Sequence, residues 1–222
     1  MTLSDEIRRL FLRYPDALYG FADIGTSAFA PRFPSAIVFA APYGRQLTLD
    51  DYAEADFEDG IQAAAARLGE IAADLDALLE MRGIDRYAPP VAQEDEIDLL
   101  ARFSFKYAAT RAGLGWYGKN DVIITERYGP RMRLSALLVA APLDYGQPIE
   151  KSRCPADCFR CVEACPCGAL RGVQWRADSL RAELIDYHRC NRMRSAFIPK
   201  LGRKSACGLC FAACPFGTEQ SP

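Results

Sequence analysis

Residues 113–120 read Gly-Leu-Gly-Trp-Tyr-Gly-Lys-Asn, and Gly113, Gly115 and Gly118 fall in the pattern G-x-G-x-x-G. That pattern marks a dinucleotide site only where a strand precedes the glycines and a helix opens after them, so that a pyrophosphate meets a helix N-terminus. The flanks here run the other way. The stretch from Ile97 to Ala112 has helical spacing and stops at Gly113, while Asp121–Thr125 is rich in β-branched residues. The glycines therefore follow a helix C-terminus, whose negative dipole end disfavours a phosphate. The sequence excludes a doubly wound dinucleotide fold at this point and predicts an α+β layer.

Outward from this loop, the same mixture of elements continues. Ser4 is the expected N-cap of a short helix carrying Ile7, Leu10 and Phe11. Ala36–Phe39 reads as a buried strand. From Ala53 to Arg82, Phe57, Ile61, Leu68, Ile71, Leu75, Leu78 and Leu79 recur at helical spacing, with Gly83 just beyond. The runs Asp121–Thr125 and Arg133–Val139, joined by Arg127-Tyr128-Gly129-Pro130, predict an antiparallel hairpin.

The chain has 222 residues, half of them apolar and a quarter charged, with a net charge of −2. Nothing global favours nucleic acid. Locally, fifteen acids face three bases between Asp50 and Asp98, and nine bases face three acids between Arg171 and Lys204. The first stretch reads as solvated helix surface; the second is either a solvated face or a docking surface for an anionic partner. No apolar run approaches the ~20 residues a membrane helix needs, and the first residues are not those of a signal peptide. The expectation is a cytoplasmic protein with no membrane association, in which thiols stay reduced.

All nine cysteines lie after residue 153. This composition shift places a boundary near Gly146-Gln147-Pro148, giving a cysteine-free α+β domain over 1–147 and a cysteine-rich one over 148–222. The first cluster is Cys154, then Cys158-x2-Cys161-x3-Cys165-Pro166, then Cys167; the second is Cys207-x2-Cys210-x3-Cys214-Pro215, and Cys190 stands between them. Closely spaced cysteines ending in Cys-Pro, twice over, form the bacterial ferredoxin signature, in which the last cysteine of each run ligates the other cluster. By that crossing rule one [4Fe–4S] cluster takes Cys154, Cys158, Cys161 and Cys214, and the other takes Cys165, Cys190, Cys207 and Cys210. Cys167 is left over, unless Cys154, which precedes Cys158 by four positions where three is usual, is not a ligand; that cluster then has an open iron site or recruits Cys167. The rival is a zinc site from the pairs Cys158/Cys161 and Cys207/Cys210, which leaves the Cys-Pro endings and the surplus thiols unexplained. The lone histidine, His188, cannot supply a Rieske centre, which needs two. Two clusters form a wire, and the first domain is the place for an acceptor at its end.

The segment Arg111–Asn120, followed by β-prone runs and a double-cluster module, resembles epoxyqueuosine reductases, and more closely their short iron–sulfur relatives that lack a C-terminal helical-repeat domain. Tyr19–Gly25 and Phe103–Trp116 also look like the short group, and the resemblance covers roughly residues 17 to 217. It implies a nitroreductase-related N-terminal domain, akin to reductive dehalogenases, that holds base-off cobalamin. It also implies a ferredoxin-like double-cluster domain that feeds electrons to the cobalt. In the full-length enzymes the substrate is the tRNA base epoxyqueuosine, reduced at its epoxide. The eight cysteines match the family's ligand pattern. Arg111, Gly113, Gly115, Trp116, Lys119 and Asn120 become candidates for the cofactor region. The family's catalytic aspartate stands in an Asp-Thr or Asp-Ser context that is missing here. Asp95, Glu96 and Asp98 lie nearby outside any such motif, so no catalytic residue is assigned. The function expected is an iron–sulfur redox protein delivering electrons to a cobalamin-type or small-molecule acceptor, with a redox protein as partner and tRNA an improbable one. The alternatives are a pure electron-transfer module and epoxyqueuosine reduction itself.

Overall fold

The structure is a computed structural model, described over residues 1–90, 101–196, 198–201 and 207–218. The chain divides into two compact units. The first comprises 1–42, 63–114 and 132–149; the second comprises 43–62, 115–131 and 150–222. Every cysteine belongs to the second, together with two segments that precede the cysteine-rich stretch.

The first unit is built on a sheet. Helix α1 (Leu3–Phe11) is capped by Thr2, whose hydroxyl accepts from Asp5 N–H while the Asp5 carboxylate accepts from Thr2 N–H. The cap is thus Thr2 and not Ser4. Ser4 lies inside the helix, buried, and its hydroxyl accepts from Asp144 N–H. Strands β1 (Leu18–Asp23) and β2 (Ser35–Pro42) pair antiparallel from Leu18↔Ala40 to Asp23↔Ser35. Helix α2 runs Glu54–Met81, as its apolar spacing requires, and Gly83 beyond its end takes φ +63°. From residue 63 onward α2 belongs to this unit and buries Leu68, Ile71, Leu75 and Leu79. Glu6 on α1 pairs with Arg82, and Asp74 on α2 takes hydrogen bonds from Arg13 and Tyr14.

After the short β3 (Arg86–Tyr87) comes α3 (Phe105–Arg111), capped by the Ser104 hydroxyl. The helix expected from Ile97 begins later: residues 97–100 lie outside the described residues, and 101–103 are not helical. Asp95, Glu96 and Asp98 fall in the same undescribed segment. Helix α3 packs on β1, β2 and the last strand of the sheet.

The expected hairpin does not form. Strand β4 (Trp116–Tyr117) pairs with β5 (Ile123–Ile124), Trp116 opposite Ile124, as a separate ribbon in the second unit. Strand β6 (Met132–Val139) enters the main sheet instead, antiparallel to both β2 and β3, giving the order β1-β2-β6-β3. The turn expected at 127–130 forms, with Thr125 and Gly129 exchanging backbone hydrogen bonds there. The strand after it takes a different partner because Ala136–Val139 is buried throughout, which a central strand needs and a two-stranded hairpin cannot supply. The remaining short helices are α4 (Arg160–Glu163), α5 (Arg181–Leu184), α6 (Tyr187–Ser195), α7 (Ile198–Leu201) and α8 (Leu209–Ala212). Among the described residues no helix is long and apolar enough to cross a membrane.

Candidate metal centre

Two equivalent turns organise the second unit. Cys158-x2-Cys161-x3-Cys165 wraps α4 and Cys207-x2-Cys210-x3-Cys214 wraps α8, and the two helices pack on each other. Gly208 begins the second turn at φ +82°, where a Cβ would stand 2.7 Å from the Phe57 ring. That ring belongs to an apolar cluster of Leu47, Phe57 and Ile61 with Tyr43, Tyr52 and Phe211, which anchors the second turn. Aligning the turns sets Cys167 opposite Phe216, so the surplus thiol occupies a position that is aromatic in the other copy.

The thiols fall into two groups. Burial, then the adjacent Cys214, Cys154 and Cys158, push the Cys161 thiol up to about 12. Cys214 is pushed up to about 12 as well, chiefly by burial, with Cys154 and Cys158 adding to it and Arg131 opposing. These four line one small cavity with Lys119, Asn120 and Arg160. In the other group, burial raises Cys190 to about 11, with Cys167, Cys165 and Cys207 adding to it and Arg194 opposing. Burial and then Cys161, Cys190, Cys207 and Cys165 raise Cys210, which lies where the groups approach each other. Cys165 and Cys167 are adjacent, Sγ to Sγ 3.8 Å. Burial opposes the Cys165 thiolate, but N–H groups of Ala169, Cys167 and Leu170 outweigh it and hold this thiol below its ordinary value. Ala169 N–H reaches its sulfur at 3.3 Å. Such N–H···S bonds steady a coordinating thiolate. A metal cluster reverses the repulsion that raises the other thiols, because coordination deprotonates a thiol outright. Among the described residues no three or more His, Cys, Asp or Glu groups close on a single metal ion.

Within the loop at 113–120, residues 115–120 share the second unit with these turns. Gly113 takes φ +73° just past α3, and its Cβ would stand 2.6 Å from Gln147 O. A Cβ on Gly115 would stand 2.2 Å from Ile124 O. Trp116 is buried, packs edge-on to Phe216 at 5.2 Å, and leaves its indole N–H without a hydrogen-bond partner among the described residues. Lys119, 2% exposed, donates to Pro155 O at 3.1 Å, Ala156 O at 2.8 Å and Cys158 O at 3.0 Å. Asn120 donates to Cys210 O. Arg111 stays with the first unit, donating to Asp23 O at 3.2 Å. The six candidates are therefore divided: Arg111 and Gly113 in the first unit; Gly115, Trp116, Lys119 and Asn120 in the second.

Sequence reading missed Arg131. It is 2% exposed and donates to Leu47 O, Phe216 O, Ala212 O and Cys214 O. Burial pulls its pKa down, with Cys214 and Asp51 opposing. Asp51 is itself engaged by Arg45 and by Thr48. The only available signal was a basic Arg-x-Arg pair at 131–133, which is ordinary for an exposed strand end.

No protein-family model matches the chain. Among curated proteins, the epoxyqueuosine reductase of Synechococcus sp. is 37% identical over 114 residues, 51% of this chain and 34% of that protein. That of Cyclobacterium marinum is 38% identical over 82 residues, 37% of this chain and 23% of that one. A solved epoxyqueuosine reductase superposes with a TM-score of 0.64 at 19% identity, covering 99% of this chain and 67% of the other. The chain is similar to epoxyqueuosine reductases. The matches span about a third or less of these curated reductases. The same fold extends to a reductive dehalogenase described through B12-dependent dehalogenation, with a TM-score of 0.68 at 18% identity, covering 97% of this chain and 32% of that one. One expectation is corrected. Another epoxyqueuosine reductase of this fold was solved with an epoxyqueuosine-modified tRNA-Tyr stem loop, at a TM-score of 0.58 and 22% identity, covering 100% of this chain and 60% of that one. The dismissal of tRNA as a partner for an epoxyqueuosine reductase-like chain is withdrawn.

Proposed function

We propose that this protein is a reductase that passes electrons through two [4Fe–4S] clusters to a corrinoid-type acceptor. Cys154, Cys158, Cys161 and Cys214 hold one cluster; Cys165, Cys190, Cys207 and Cys210 hold the other. One observation carries the reading: Cys214 stands among Cys154, Cys158 and Cys161, and not with its sequence neighbours Cys207 and Cys210. That is the crossed wiring of two-cluster ferredoxins. A zinc tetrahedron with Zn–S bonds near 2.3 Å needs sulfurs about 3.8 Å apart, and the pairs 158/161 and 207/210 belong to different groups. Such clusters supply single electrons; the chain supplies thiolates, the N–H groups of Cys167, Ala169 and Leu170 and a buried apolar wall of Ala169, Leu170 and Ile185 that excludes water.

The corrinoid part draws on the fold shared with the dehalogenase, and with it goes the nitroreductase relation of residues 1–147. Arg111 and Gly113 are the first-unit residues assigned to it, the Arg111 side chain one-third exposed after bonding Asp23. The relatives favour one substrate class, an epoxyqueuosine-modified tRNA. A carrier with no acceptor of its own is the second reading, and the same experiments separate the two.

Anaerobically reconstituted protein is expected to be brown and to hold about eight irons, the count for two cubes; colourless, zinc-loaded protein would overturn the reading. Cys214→Ser and Cys190→Ser are each expected to lose about half of that iron. Added cob(II)alamin is expected to show the EPR signal of base-detached cobalt, weakened by Arg111→Ala. With a reductant and the modified stem loop, the epoxide base is expected to lose one oxygen atom as water, consuming two electrons and two protons. A full iron complement with neither cobalt signal nor deoxygenation would leave the carrier.

A further inference from the structure

Lys119 and Arg131 are the buried cations of the described residues, each 2% exposed. Neither makes a salt bridge within 4.0 Å among those residues. Every bond of Lys119 goes to a backbone carbonyl: Pro155, Ala156 and Cys158, with the Phe159 ring beneath its ammonium at 4.1 Å. Arg131 is likewise bonded only to carbonyls, of Leu47 at 2.8 Å, Phe216 at 2.9 Å, Ala212 at 3.2 Å and Cys214 at 2.7 Å. Carbonyl dipoles satisfy the donors but leave the net charge in place, and an unpaired buried ion costs several kcal/mol. Among the described residues the buried carboxylates of the same unit, Glu58 and Asp121, make no salt bridge within 4.0 Å to either cation, and Asp51, whose charge reaches Arg131, is itself bonded by Arg45 and Thr48.

Apart from Leu47 O, the carbonyls that hold these two cations belong to the segments carrying Cys154, Cys158 and Cys214. Lys119 shares a cavity wall with those three thiols and Cys161, and Arg131 borders Cys214 from a second cavity. The other thiol group has different company. Among the described residues its neighbouring arginines, Arg189 and Arg194, lie on α6 and are not buried, so solvent and salt screen them.

Resting on the two-cluster reading above, we infer that Lys119 and Arg131 balance the charge of the cluster held by Cys154, Cys158, Cys161 and Cys214. They thereby set its reduction potential above that of its neighbour. Reduction adds one negative charge to the cluster, and a buried cation stabilises the reduced form more than the oxidised one. Net charge and exposure are among the levers that set these potentials. Lys119 and Arg131 act through electrostatics and loop position, and touch no substrate.

The test is an EPR-monitored redox titration of the full chain with both clusters in place. The wild type is expected to show two midpoints. In Lys119→Gln and Arg131→Gln the upper one is expected to fall by at least tenfold in reduction equilibrium, about 59 mV for one electron, while the lower one stays put. Lys119→Arg, which keeps the charge, is expected to retain the upper midpoint. Unchanged midpoints in fully loaded variants, or equal shifts of both, would overturn the inference. If Lys119→Gln sheds half its iron, the remaining cluster must keep the lower midpoint and Lys119→Arg must keep all iron; any other pattern also overturns it. A wild type lacking about eight irons would defeat the two-cluster reading instead, so the two failures are distinguishable.

Discussion

A single hydrogen decides the backbone at Gly115. A methyl there would stand 2.2 Å from Ile124 O and 2.9 Å from the Ile123 side chain, where the β4–β5 ribbon has no freedom to open. Gly115→Ala is expected to cost at least the ~1–3 kcal/mol of an overpacked site. Gly69 is the contrast: it lies inside α2, and a Cβ there would meet nothing within 4 Å. Gly69→Ala is expected to stabilise by about 0.5–1 kcal/mol through helix propensity. Denaturant midpoints compared at constant m-value check both. At Cys167 the prediction concerns iron. Because it aligns with Phe216 and not with a proposed ligand, Cys167→Ser is expected to keep about eight irons. Loss of iron would move a ligand role from Cys165 to its neighbour 3.8 Å away.

At the scale of elements, α2 carries the first unit. Leu75 is fully buried on its inner face, and Leu75→Ala is expected to cost ~2–5 kcal/mol, read as a lower thermal midpoint with the visible spectrum intact. This helix was legible because its apolar residues repeat over many turns and Gly83 ends it. The Thr2 cap was legible too, in the Thr-x-x-Asp spacing of the capping box, although Ser4 drew the reading. Strand β6 was not. Its β-prone residues and the turn before it say that a strand exists, but the choice of β2 and β3 as partners depends on burial of both faces, a property of the assembled sheet. The site divides in the same way. Cysteine spacing and the Cys-Pro endings pointed to the two thiol groups, because a short loop restricts which thiols can meet. Lys119 and Arg131 were opaque as buried cations, since nothing local distinguishes a buried lysine or arginine from a solvated one.

At the scale of the molecule, the cysteine-bearing unit is discontinuous, and 43–62 and 115–131 belong with 150–222. Metal binding in small domains is folding free energy. Removing iron is therefore expected to strip hydrogen-exchange protection from all three segments together, while β1, β2, β6 and the buried length of α2 keep theirs. Loss confined to 150–218 would show that the two early segments hold their structure without the metal. The crossed arrangement of the thiols also bears on biosynthesis. Cys214 is the last cysteine in the chain, yet it completes the group begun at Cys154. A nascent chain emerging from the ribosome thus exposes Cys154, Cys158 and Cys161 long before their fourth partner exists, and the second group waits for Cys207 and Cys210. Under the proposed two-cluster assignment neither site has its full set of thiols until Cys210 and Cys214 have been made, so loading of either cluster follows synthesis of those residues.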